Sequence, residues 1–579
     1  MPLSGGAPER TDPRRRLLTV LAPQAVFAVL VWISADRWVV PFQDHGREVM
    51  TAFRLWAGER LYAEVASYYG PLPSLLDALA FGLLGVRLGS LVAVRLLFGV
   101  LGVEALRRLA LRLGAGSAAA SAIAAAVTAI ALFRLPGPVP FPYSVAALEG
   151  VVATLWALEL ALGCRDARGA LAAAALAGLA AGTKVEIVPA ALVGPALALL
   201  VRRPRREAAA ALGVAGLLAA LSWGLPVALV GVEPLRRHGF LVVLADTPSW
   251  TAVYESIAFG GMTAGAFLRG GFLDVLFPSG LYLACCGAIL YAARWSARTA
   301  AAVAFALGLA SAGVEGNGML HALLPAAWAA SLLALLAALS AGRGRAGDPL
   351  LVAGLAVSAS MVPLLARQPF FLRMGSYLLP AAPLALVVAF AFAARRLPRP
   401  APFAFYLWGI VAAQVAGRWE EYRGRPLARF ESARATILVP EEEARFLREA
   451  VAAIERWSRP GDYVGGFPEA GFLLFVTDRR SPFVDELFYP GNQDRAAEDE
   501  MVLALARRPV KLVLVLDRPF PEYGPGAYGG GVLDRFFRAL DRSFVTAGTA
   551  GSPGAPATAT RRSARSAVLW VPRGAGPGA

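Results

Sequence analysis

Cysteine, histidine and lysine are all scarce in this chain of 579 residues. The three cysteines, Cys164, Cys285 and Cys286, offer neither a disulfide framework nor a metal-ligand spacing. The adjacent Cys285 and Cys286 sit inside an apolar run and read as small packing residues. Charge is also thin: 17% of the residues are Asp, Glu, Lys or Arg, where a soluble domain carries about a quarter. No G-x-x-x-x-G-K-[ST] loop occurs, which argues against an ATP-driven pump. No long basic arm and no interleaved basic-aromatic patch occurs either. The net charge of +15 therefore does not point to nucleic acid.

What fills the chain is apolar sequence. Hydrophobic residues make up 57% of it and the mean hydropathy is +0.56. Apolar runs recur at 17–35, 88–106, 117–133, 145–163, 169–182, 185–201, 208–230, 272–292, 299–313, 317–340, 349–366, 374–394 and 402–417. That predicts about thirteen membrane helices, most near the length a hydrocarbon layer of roughly 30 Å requires. Arg14–Arg16 followed by an apolar run also has the form of a secretory signal. The many later runs favour an uncleaved first span. With a cytoplasmic N-terminus, every arginine cluster between spans falls on one side, including Arg107/Arg108/Arg112, Arg202/Arg203/Arg205/Arg206 and Arg395/Arg396/Arg399. That agreement with the positive-inside rule supports the orientation and the number of spans.

The expected organisation is a cytoplasmic segment 1–16, a membrane domain 17–417 and an extracytoplasmic domain 418–579, in a bacterial-type inner membrane. Two long outer loops interrupt the membrane domain at 36–87 and 231–271. Beyond 417 the composition turns charged and polar. Glu441–Trp457 has helical periodicity with acids in its first turn, where the helix dipole favours them. Arg495–Arg508 reads as a helix, Val510–Arg518 as a buried strand and Ala567–Pro572 as a late strand. The Gly/Pro/Ala-rich stretch 547–560 reads as a flexible loop. The fold class is thus a polytopic α-helical membrane protein with a small C-terminal α/β domain.

The first outer loop holds an amphipathic stretch, "FQDHGREVMTAFRLWAGERLYAEVASYYGPLP". Val49, Phe53 and Trp56 recur at helical spacing and Gly58 suits a C-terminal cap. This predicts a helix lying on the membrane surface, with Arg47 and Arg54 on its wet side. The prolines that follow should stop the next segment from spanning cleanly. Asp44 then sits where water, head groups and the mouth of the bundle meet. A carboxylate there either caps the helix or serves as a general base for an attacking hydroxyl.

The order of Asp44, a Gly-x-x-x-Tyr and "YYGPL" after a first span resembles membrane glycosyltransferases of the GT-C class. That class includes protein O-mannosyltransferases, aminoarabinose transferases and the RgtA/B/C/D-like group. "AGLAAGTKVEIVPA" (Ala177–Ala190) and "RMGSYLLPAAPLAL" (Arg373–Leu386) are similar to further segments of the class. The resemblance implies transfer of a hexosyl, pentosyl or amino sugar from a polyprenyl-phosphate donor to a glycan, lipid or protein acceptor outside the membrane. It places Asp44 at the catalytic position and Arg95 beside it. Arg95, Arg373 and Lys184 are then candidates for the lipid phosphate, as outward-facing cations at helix starts and turns, and His45, Tyr69, His238 and Tyr377 are candidates in donor or acceptor loops. The absence of any Asp-x-Asp, which nucleotide-sugar enzymes commonly use to hold a metal, agrees with a lipid-phosphate donor.

Many relatives carry a second outer acid. Here the corresponding region offers only Glu149, expected one or two turns inside a span. It either stands in for that acid or bonds a neighbouring helix. No cofactor is required by these motifs, but a divalent cation shared by Asp44 with His45 or His238 is conceivable chemistry. Adjacent helical residues diverge by about 100°, which weighs against Asp44 with His45. His238 is otherwise a solvated loop residue. A transporter or flippase of lipid-linked sugars is the alternative function. It would be expected to show internal repeats with helices broken at matching positions, and none is visible.

Overall fold

The computed structural model describes residues 13–42, 44–133, 144–241, 288, 296–313, 348–367, 382–396, 400–424, 426–488, 495–517, 533–551 and 564–576. Expected spans 272–292 and 317–340 lie outside these residues, as do Arg373, Tyr377, Cys285 and Cys286.

The N-terminal part is helical. Helix α1 (Pro13–Ile33) precedes the loop helix α2 (Asp44–Trp56) and the short α3 (Pro71–Leu84). Then come α4 (Leu88–Arg112), α5 (Ser117–Val127) with a π turn at Thr128–Leu132, α6 (Val145–Gly163) and α7 (Ala167–Ala181). A 3₁₀ turn (Val185–Ile187) leads into α8 (Val188–Arg202), followed by α9 (Arg205–Val230) and α10 (Val232–His238). Later helices run over Ala297–Gly313, Pro349–Arg367, Ala382–Arg396 and Pro400–Arg423.

Four described helical stretches are long and apolar enough to cross a membrane: Leu88–Arg112, Val145–Gly163, Val185–Arg202 and Arg205–Val230. Others, such as Leu17–Ile33 and Ser117–Leu132, are apolar but shorter. Small residues let these helices approach closely. The alanine-rich α5 is buried from Ala119 to Val127. Gly308 and Gly409 face each other so tightly that a methyl on either would overlap the opposite backbone.

Helix α3 has 14 residues, about 21 Å at 1.5 Å per residue, too short for the hydrocarbon layer. Pro71 and Pro73 open it, where a missing N–H does no harm. Leu75, Leu79 and Leu83 form an exposed stripe, while Asp77, Ala80 and Phe81 are buried. It is a helix broken off short by the prolines, as "YYGPLP" led one to expect.

The helix Pro400–Arg423 passes through Gly417 without a break. The guanidinium of Arg423 lies 5.2 Å from the centre of the Trp32 ring and 6.0 Å from that of Trp419. The polar domain begins after it. A hairpin pairs β1 (Ala428–Glu431) with β2 (Thr436–Val439). A four-stranded sheet of β3 (Tyr463–Phe467), β4 (Val510–Leu516), β5 (Phe544–Gly551) and β6 (Ser566–Pro572) has the order β3-β4-β6-β5. Only the β3/β4 pair is parallel. Helices Glu441–Trp457 and Arg495–Arg507 fall where their periodicity placed them. Part of the stretch read as a loop at 547–560 is instead the end of β5, held by β6 through Ala550 and Gly551.

One core spans both parts of the molecule. Val49, Met50 and Phe53 of α2 and Phe81 of α3 pack with Phe446, Phe472 and Phe475 of the C-terminal domain. Gly46 and Gly471 make the crossing possible, since a methyl on Gly46 would stand 2.6 Å from the Pro41 oxygen and one on Gly471 2.8 Å from the Gly46 oxygen. Helix α2 is therefore not a surface helix with a wet arginine face. Arg47 and Arg54 are 7% and 1% exposed. The hydrophobic period correctly gave a helix, but the polar face is covered by protein.

Candidate functional site

Asp44 stands in the first turn of α2, where the helix dipole favours a negative charge. Its Oδ1 lies 3.1 Å from Nη2 of Arg47, one turn along. The same Arg47 nitrogen donates to the Tyr69 hydroxyl at 3.4 Å. Its guanidinium carbon is 5.1 Å from the Tyr68 ring centre and 5.5 Å from that of Tyr69. Lys184 approaches Tyr69 as well, with Nζ 5.4 Å from the ring centre, while pairing with Glu186 at 3.5 Å. Tyr69 thus has two cations near its ring.

The backbone explains this meeting of distant segments. Gly70 donates its amide to the Thr183 carbonyl at 2.9 Å. A methyl at Gly70 would overlap the Gly182 carbonyl oxygen. The two motifs "YYGPL" and "GTK" are thereby pressed together, which delivers Tyr69 and Lys184 to one place. Gly70→Ala is expected to part them and to destabilise the fold by about 1–3 kcal/mol, as overpacking does. An unchanged unfolding midpoint in detergent would contradict the contact.

A small cleft opens beside these groups. Arg47, Glu48, Thr51, Ser67, Tyr69 and Asp77 line it, with the start of α6. Glu48 Oε1 accepts from the Val145 amide at 3.4 Å. Asp77 is buried and ion-paired with Arg95 at 2.5 Å. Arg95 is 0% exposed. It is not at the outer surface as its place in the sequence implied, but stands behind the cleft as the partner of Asp77. Glu149 lies one turn inside α6, 3% exposed, in electrostatic reach of Asp77, Arg95 and Glu48. Sequence reasoning had not singled out Glu48, Asp77 or Glu186. Asp77 had a usable signal, being an acid inside an apolar stretch.

The two histidines serve elsewhere. His45 accepts the Val40 amide on Nδ1 at 3.0 Å, which ties the loop to the start of α2. His238 is neither a solvated residue nor seated on Asp44. It is buried between Asp485 at 3.1 Å and Glu500 at 3.0 Å, both of the C-terminal domain. Among the described residues no three His, Cys, Asp or Glu side chains converge as a metal cage. Asp44 Oδ1 meets Arg47, and His45 Nδ1 meets a backbone amide.

Burial alone would lower the His238 pKa, but the paired carboxylates Asp485 and Glu500 outweigh it and raise it to about 10. A raised histidine contributes stability that is full below its unfolded value and is lost as pH rises through the folded one. The contact of α10 with the C-terminal domain is therefore expected to weaken between about pH 6.5 and 10. Proteolysis of that contact as a function of pH checks this, and His238→Gln should remove the pH dependence.

No protein-family model and no curated protein matches this chain. Among solved structures it is similar to ArnT from Cupriavidus metallidurans bound to undecaprenyl phosphate. That match has 15% identity and a TM-score of 0.43, covering 95% of this chain and 97% of that one. The apo form of the same protein matches at 14% identity and a TM-score of 0.43, over 96% and 98% of the two chains. The arabinofuranosyltransferase AftD from Mycobacteria matches at 15% identity and a TM-score of 0.44, over 96% of this chain and 40% of AftD. At these scores no residue's role passes from them to this chain.

Proposed function

We propose that this protein is a membrane glycosyltransferase that moves a sugar from a polyprenyl-phosphate donor to a hydroxyl acceptor at the outer face, with Asp44 as general base. The observation that carries this reading is the meeting of Asp44, Arg47, Tyr69 and Lys184 beside one cleft, under the outer domain. Glycosyl transfer needs a group to take the acceptor's proton and positive charge to stabilise the departing phosphate. Asp44 supplies the first, and Arg47 with Lys184 supplies the second. The phosphate leaves without protonation, so the acceptor's proton is the one that must be placed. Arg95 acts through Asp77, by keeping charge balanced behind the cleft. The sugar is of the hexosyl, pentosyl or amino type, and the acceptor is a glycan, lipid or protein hydroxyl. The N-terminus lies in the cytoplasm of a bacterial-type cell.

The test is purified protein in proteoliposomes given labelled polyprenyl-phosphate sugars and envelope acceptors. Release of free polyprenyl phosphate coupled to labelling of an acceptor is expected. Movement of the intact donor across the bilayer without cleavage would replace this reading with that of a transporter.

A further inference from the structure

Glu48 has not been given a task. It lies one turn beyond Asp44, at the i,i+4 spacing that puts two side chains on one helix face. It lines the cleft, which Asp44 does not border directly. One carboxyl oxygen accepts the Val145 amide, while the other, Oε2, is buried without a hydrogen-bond partner. A buried carboxylate oxygen with nothing donating to it is costly, and a proton relieves that cost.

The surrounding charges point the same way. Around Glu48 stand Asp44 and Arg47 on its own helix, Asp77 on α3, Arg95 on α4, Glu149 on α6, and Tyr69 and Lys184 on the adjoining turns. Glu186, paired with Lys184, brings the acids to Asp44, Glu48, Asp77, Glu149 and Glu186, five carboxyls against the three cations Arg47, Arg95 and Lys184. Raising a bound phosphate from monoanion to dianion beside that excess of carboxylates is costly unless one of the acids takes up a proton.

Resting on the transferase reading, we infer that Glu48 is the proton store of the site, the group on which the acceptor's proton comes to rest. Asp44, held by Arg47, draws the proton as the acceptor oxygen bonds to the anomeric carbon. The carbon–oxygen bond to phosphate breaks with its electron pair, turning a phosphodiester monoanion into a phosphate dianion. The proton passes from Asp44 to Glu48 and neutralises it, so that one ionised carboxylate is lost as one phosphate charge is gained. Burial, opposed by Arg95 and Arg47 and reinforced by Asp44 and Asp77, raises the Glu48 pKa to about 8. Pairs of acids pushed apart in this way divide the acid and base roles between them.

Two measurements on the lipid-reconstituted full chain test this. Transfer should rise with pH to a plateau above about 8 in the wild type. Glu48→Gln should transfer about 10²-fold more slowly and lose that rise, and Glu48→Asp should keep a rise at intermediate rate. Difference infrared spectroscopy should show a protonated carboxyl band titrating over the same range and missing in Glu48→Gln. A Glu48→Gln protein that keeps the pH rise, whether at full or reduced rate, overturns the proposal, as does an unchanged carboxyl band. If the wild type releases no polyprenyl phosphate while the band titrates and vanishes in Glu48→Gln, the transferase reading falls and the proton site stands.

Discussion

Asp44→Asn is expected to lower sugar transfer by about 10²–10⁴-fold, the range a positioned proton acceptor supplies. Asn keeps the size and hydrogen-bonding reach of Asp but cannot take a proton from a hydroxyl. The loss should appear in kcat more than in KM, because the acceptor hydroxyl is still held while its deprotonation is not assisted. The change also leaves Arg47, 7% exposed, without its charged neighbour. Arg47→Lys separates the two effects. It keeps the charge but loses the planar fork that reaches both Asp44 and the Tyr69 hydroxyl. If Asp44→Asn transfers sugar as fast as the wild type while Arg47→Lys does not, the base has been assigned to the wrong residue.

Arg54→Ala is expected to destabilise the junction of the helical and C-terminal domains by about 3–5 kcal/mol, the usual result of removing one partner of a buried ion pair. Arg54 is 1% exposed and bonded on every side. It meets Glu486 at 2.6 Å and Glu59 at 2.7 Å, and donates to the carbonyls of Phe483 at 2.8 Å and Glu64 at 2.6 Å. Without it, burial raises the proton affinity of Glu486 further from a pKa already at about 7. Limited proteolysis should then cut the loop between α2 and α3, which the wild type protects. Replacing both buried partners, as in Arg54→Met with Glu486→Leu, should restore part of the resistance, because the buried Glu486 charge is gone and Glu59, with a side chain 22% exposed, can turn to water. Resistance of Arg54→Ala equal to wild type would show that the apolar core between the domains suffices alone.

These two arginines show where the sequence was legible and where it was not. Asp44, the helix that follows it and its ending before Gly58 were readable. The helix runs Asp44–Trp56, and Gly58 adopts φ of +94°. The helical period cannot say what covers the polar face, however. Arg47 and Arg54 fit water or head groups as well as protein, until Tyr69 is brought to the first and Glu486 to the second. Arg95 presents the same difficulty, since an arginine near the start of an apolar helix suits a lipid head group as readily as a buried aspartate. The strand in 547–551 was hidden by its glycines and was revealed only by its pairing with β6.

The separation of Arg54 from Glu486 has a consequence in time. They are 432 residues apart in the chain. At about 5–20 residues per second, the ribosome needs roughly 20–90 s to deliver the partner. Until then the first loop has emerged with a cation that its finished surroundings bury, and no acid from the C-terminal domain to meet it. The wall of the cleft formed by α2 can lock into place only when the C-terminal part of the chain has been made. Each molecule therefore matures last at the place where it is to work first.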